Sequence, residues 1–124
     1  MAFKEKTQVQ SPIVHLTAAE GTTVTGVLTQ ISTIPTKAGA STVARLRLIE
    51  PGTYEVYDGT DKSEQVFAAG DHVTVFLTAG LNLELEDVGY PVRVIYTGRR
   101  TNPKTSREYH SYQVFVDKDD QVPF

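Results

Sequence analysis

The chain has 124 residues, enough for one domain with a modest core and too few for two independent ones. It is 40% hydrophobic and 22% charged, the range of ordinary globular domains, and no run approaches the ~18 apolar residues of a membrane-spanning helix. The absence of cysteine excludes disulfides, zinc–thiolate sites and thiol nucleophiles, and the polar start, Met1 to Gln10, lacks the apolar centre of a secretory signal.

Residues 1–20 read as an N-terminal arm. Thr17 to Glu20 has the spacing of a capping box, but Gly21 stands where an apolar run would have to begin. Thr22 to Ser32, rich in Thr, Val and Ile, predicts a strand with a bulge or sharp coil at Gly26. Ile34 to Ser41, with Pro35 and Gly39, predicts a turn or loop. Thr42 to Glu50 alternates: Ala44, Leu46 and Leu48 fall on one face, and Val43, Arg45, Arg47 and Ile49 on the other. Pro51-Gly52 turns the chain into a return strand, Thr53 to Tyr57. Asp58-Gly59 and Ala69-Gly70 bracket a short segment around Gln65 to Phe67, and His72 to Thr78 is another strand. Leu81, Leu83 and Leu85 alternate like a strand, whereas Leu81, Leu85 and Val88 fit a helical face, and a short helical connector is the reading taken. Pro91 to Thr97 and Glu108 to Val116 are the clearest strand pair, joined by a long basic loop from Gly98 to Arg107. This order predicts an all-β protein, a small five-stranded OB-fold barrel over residues 21–116 with at most one short helix.

A net charge of −3 conceals an uneven distribution. Val88 to Arg107 holds no acidic residue and five of the twelve basic ones, Arg93, Arg99, Arg100, Lys104 and Arg107. Between Glu50 and Asp71 the balance reverses, with six acids against Lys62. Catalysis has little to stand on. His15, His72 and His110 lack metal-ligand spacing, and no phosphate-binding glycine loop or nucleophile elbow occurs. The expectation is a protein that is not an enzyme and needs no cofactor.

Single-stranded nucleic acid is held by a positive groove together with aromatic faces on which bases stack. The final hairpin supplies both. Tyr109, Ser111, Gln113 and Phe115 share one face of its second strand, while His110, Tyr112, Val114 and Val116 share the face expected to be core. Arg93 falls outside, between core Val92 and Val94. Arg45 and Arg47, with Tyr54 or Tyr57 of the return strand beside them, extend the same chemistry. The candidate DNA-binding set is Arg45, Arg47, Tyr57, Arg93, Arg99, Arg100, Lys104, Arg107, Tyr109 and Gln113.

The last six residues, Asp119-Asp120-Gln121-Val122-Pro123-Phe124, resemble the acidic Pro-Phe tip of bacterial and bacteriophage single-stranded DNA-binding proteins. Tyr90 to Asp117, with its Gly98 turn and Arg107-Glu108-Tyr109-His110 opening the next strand, is similar to the closing hairpin of the phage-type members. Two departures stand out: no long linker precedes the tip, and the chain has no tryptophan for stacking. A compact phage or mobile-element member fits these departures. The resemblance implies an OB-fold that binds and protects single-stranded DNA in replication or recombination, in the cytoplasm of a bacterial or infected cell. It also implies that Asp119, Asp120, Val122, Pro123 and Phe124 recruit partner enzymes. No membrane is expected, and a second copy of the chain is the remaining class of partner. Two other readings stand beside this one: a structural β-barrel or sandwich module of a virion, and an RNA-binding OB-fold module.

Overall fold

The computed structural model describes residues 12–36, 39–58, 61–78 and 80–118, without the side chains of residues 36, 57, 58 and 61. The described residues form eight strands: β1 Ile13–Val14, β2 Thr23–Thr36, β3 Gly39–Leu48, β4 Gly52–Asp58, β5 Asp61–Phe67, β6 His72–Phe76, β7 Pro91–Thr101 and β8 Glu108–Val116. They form one open sheet in the order β5-β4-β1-β6-β3-β2-β7-β8. The all-β expectation holds, with eight strands in place of the five expected. No α-helix occurs among the described residues; Leu16–Ala18 and Leu85–Asp87 are single 3₁₀ turns.

Period-two alternation explains how the sheet is buried. Along β3, Ala44, Leu46 and Leu48 are 0–2% exposed, while Arg45 and Arg47 between them are half-buried on the other face. Val73 and Val75 of β6 lie directly opposite Leu46 and Ala44, so the apolar rows of adjacent strands merge into one layer. Val24 and Leu28 of β2 and Val92 and Val94 of β7 continue it. Val14, Tyr54, Val56 and Phe67 join the same cluster from the far half of the sheet, and Tyr112, Val114 and Val116 of β8 pack against it. A flat sheet cannot bring these together; this one curls around its apolar face. The Tyr54 hydroxyl crosses that core to donate to the Thr23 carbonyl at 2.7 Å, joining β4 to β2 although three strands separate them in the sheet.

The bend is made in β2. A Cβ on Gly26 would lie 2.7 Å from the Arg47 carbonyl oxygen, so only glycine lets β2 pass this close to β3 while also pairing with β7. The bulge expected at Gly26 lies three residues later. The register shifts between Leu28 and Gln30, and the hydroxyl of the intervening Thr29 donates to the Arg45 carbonyl at 3.1 Å.

Several sequence expectations are revised. Ile13–Val14, read as part of an arm, form a strand between β4 and β6. The segment from Ile34 to Ser41, read as a turn or loop, does reverse the chain, but most of it is strand: the β2–β3 ladder continues to Thr36 and Gly39. The connector has a 3₁₀ turn at Leu85–Asp87, and the alternation of its leucines stops there: Leu81 and Leu83 are buried, whereas Leu85 is 76% exposed. The turn is fixed by a capping box between Glu84 and Asp87. Burial pushes the Asp87 carboxyl up, but the Lys118 ammonium at 2.7 Å and the Glu84 N–H hold it below its usual value. Lys118 also lies 4.5 Å over the Tyr90 ring, which ties the end of β8 to the connector. No helix among the described residues is long and apolar enough to cross a membrane.

Candidate nucleic-acid interface

The face of the sheet turned away from the core carries several of the candidate cations. Arg45 and Arg47 leave β3 on this side, opposite Thr74 and His72 of β6 and opposite Gln30 and Val27 of β2. The Arg45 Nε is buried with no hydrogen-bond partner among the described residues, an arrangement that leaves donor capacity unmet. Burial lowers the His72 imidazole below its ordinary value, and the Arg45 and Arg47 charges lower it further against the opposing Asp71. Arg45 and Arg47 therefore form a cationic corner beside an imidazole that their charges hold towards its neutral form, and an incoming anion would offset that effect.

Across β2, Arg93 of β7 lies on the same face. Its Nε donates to the Thr25 hydroxyl at 3.1 Å, and its terminal nitrogen pairs with Glu50 at 3.4 Å. Directly opposite Arg93 on β8 is Phe115, 54% exposed. Gln113 follows opposite Ile95, and farther along Tyr109, 50% exposed, stands opposite Arg100. Two cation–aromatic cross-strand pairs thus share one face of a single hairpin.

The hairpin departs from its sequence reading at Gly98. The glycine sits at φ +97° beside a register shift between Tyr96 and Gly98, so it marks a bulge, not the turn. β7 continues past it to Thr101, and the loop shrinks to residues 102–107. Asn102 organises that loop: its N–H donates to the Arg107 carbonyl, its carbonyl accepts from the Ser106 N–H, and its side chain accepts from the Lys104 N–H. Lys104 and Arg107 are exposed there.

Because β7 continues, Arg99 and Arg100 are strand residues and point to opposite faces. Arg100 joins the outer face with Tyr109. Arg99 lies opposite His110 and pairs with Glu108 at 3.1 Å on the other face. His110 belongs to that side, since its Nδ1 meets the hydroxyl of buried Tyr96 at 2.8 Å. Tyr96 and Tyr112 face each other with ring centroids 5.4 Å apart, as expected of a core-side pair.

The tyrosines expected beside Arg45 and Arg47 are not there. β3 pairs with β2 and β6, and β4 pairs with β1 and β5. Tyr54 is in the core, and the Tyr57 side chain lies outside the described residues. Asp119, Asp120, Val122, Pro123 and Phe124 also lie outside them. Two residues missed from the candidate set join the site. Phe115 was legible from its alternation with Tyr109 and Gln113, whereas His72 enters only through the β3–β6 pairing.

Among the described residues, no ladder joins β8 to the Thr78–Leu81 turn. Gly80 meets the His110 carbonyl there, and a Cβ would lie 2.9 Å from its oxygen. Clefts of about 490 and 270 Å³ flank this contact and share His110 and Tyr112 in their walls. No group of three or more potential metal ligands occurs among the described residues. Set against family models, curated proteins and solved structures, the chain matches none. The chemistry of the site is therefore read from its own residues.

Proposed function

We propose that this chain binds single-stranded DNA, without sequence preference and without catalysis, along the outer face of β3, β2, β7 and β8. The observation that carries the reading is the pairing of Arg93 with Phe115 and of Arg100 with Tyr109 on one face of one hairpin. Cations at this position neutralise phosphates while the adjoining rings offer surfaces to bases, the combination on which strand-tracking proteins rely. The Arg45–Arg47–His72 corner supplies a second phosphate site across β2, and exposed Lys104 and Arg107 a third region at the loop. Five of the strands, in the order β6-β3-β2-β7-β8, have the neighbours of an OB-fold, and the contact of Gly80 with β8 stands where such a barrel closes. We assign the fold to that class on this basis.

Within the same proposal, Asp119 to Phe124 dock on replication or recombination enzymes in a bacterial cytoplasm. Phe124 would fill an apolar pocket while the acids steer the approach. The test is fluorescence anisotropy with labelled dT oligonucleotide, duplex DNA and RNA of equal length. Preference for single-stranded DNA supports the proposal. Equal or tighter binding of RNA moves it to an RNA-binding module, and no binding to any of the three points to a structural role.

A further inference from the structure

The two ends of the sheet differ. β8 is backed by the connector and by Gly80, whereas β5 is a terminal strand with no ladder on its outer side among the described residues. From Lys62 to Val66 every side chain of β5 is exposed, on both faces, and Val66 is 77% exposed. The β4–β5 ribbon therefore offers a backbone edge, the kind of surface that natural proteins cover, charge or pair.

Its charges are unbalanced within one copy. Glu64 stands directly opposite Glu55, and like charges facing one another across a ladder are destabilising. Lys62 reaches Glu55 diagonally at 3.9 Å, and among the described residues Glu64 has no ion-pair partner. We infer that β5 pairs antiparallel with β5 of a second copy, about a two-fold axis through Ser63. This inference rests on the edge strand alone, independent of DNA binding.

Register selects that axis. In a two-fold antiparallel pair, the residue on the axis faces its own copy and its neighbours face each other in exchanged order. An axis through Glu64 would set Glu64 against Glu64 between the two Glu55 residues, four carboxylates in a row. An axis through Gln65 would set Ser63 against Phe67, whose side chain is already committed to the core. An axis through Ser63 sets Lys62 of each copy against Glu64 of the other. Each Glu64 then has an ammonium on the side away from Glu55, so the charge conflict of the single copy is relieved twice. Backbone hydrogen bonds of the new ladder supply affinity and the two ion pairs fix the register. The arrangement is isologous and closes at two copies.

The full chain serves for the test, with sedimentation velocity across about 1–500 μM and thermal melts to confirm folding. Glu64→Lys should weaken the dimer roughly tenfold by turning two attractive cross-strand pairs repulsive. It places a lysine opposite Glu55, so the folded monomer should lose no thermal stability. Lys62→Glu should weaken the dimer similarly, and the double variant Lys62→Glu/Glu64→Lys should restore it. The chain has no cysteine, so Ser63→Cys gives a clean register probe: mild oxidation should yield a covalent dimer. Gln65→Cys should not, since its two sulfurs would be about 13 Å apart along the ladder, beyond disulfide reach. A native chain that stays monomeric throughout, a double variant no better than the singles, or faster crosslinking at position 65 overturns the inference.

Discussion

Arg99 and Arg100 are adjacent in sequence, yet the two should differ sharply in DNA binding. Arg100 shares the outer face with Tyr109, whereas Arg99 is turned to the other face and engaged by Glu108 at 3.1 Å. Each phosphate neutralised by the protein contributes roughly 0.7 to the log–log salt slope for a single strand. With about four contacts in the native chain the slope should lie near −3. Arg100→Ala should reduce its magnitude by about 0.7, which corresponds to roughly fivefold weaker binding at about 0.1 M salt, or ~1 kcal/mol. Arg99→Ala should leave the slope unchanged. Its cost falls on stability, and only by a few tenths of a kcal/mol, because the Arg99–Glu108 pair is solvent-exposed and screened. The assay is anisotropy titration of a labelled dT oligonucleotide at several salt concentrations, with melts of both variants. Equal flattening by the two variants, or a larger effect from Arg99→Ala, would refute an outer-face path for the DNA.

Tyr109→Ala and Phe115→Ala should each cost roughly 1–3 kcal/mol of single-strand affinity with little change in melting temperature. Tyr112→Ala should instead cost about 2–4 kcal/mol of stability, since its ring packs on Tyr96 and the core. Gly26→Ala should destabilise the fold by about 1–3 kcal/mol or more, read from urea melts, because the new methyl meets backbone at 2.7 Å. His72 is held below its ordinary value, so the unfolded chain binds more protons than the folded one in the interval between the folded value and the free one. Stability should therefore fall as pH drops below about 6.5, and His15, lowered chiefly by burial, adds to the same trend. A phosphate seated at the Arg45–Arg47–His72 corner reverses the balance for binding. Affinity should rise from about pH 7.5 to about pH 5.5, and His72→Gln should flatten that rise.

Much of the fold could be read where burial follows a local period. The inward row Ala44, Leu46 and Leu48, and the outward row Tyr109, Gln113 and Phe115, were set by alternation along single strands, because adjacent side chains of a strand must point to opposite faces. Uneven charge along the chain likewise marked the β7–β8 hairpin before any pairing was known. What sequence could not supply is which strands become neighbours. Tyr57 and Tyr54 follow β3 in the chain, yet they lie on a strand that pairs elsewhere, and Ile13–Val14 are held in the sheet by partners about forty and sixty residues away in sequence. Gly98 had the composition of a turn; its φ of +97° serves a bulge because the ladder between β7 and β8 continues on both sides of it. That one tertiary pairing lengthened β7, and in doing so it parted Arg99 from Arg100. Alternation is a property of one strand, whereas pairing is settled by the long-range packing of the curled sheet around a single core.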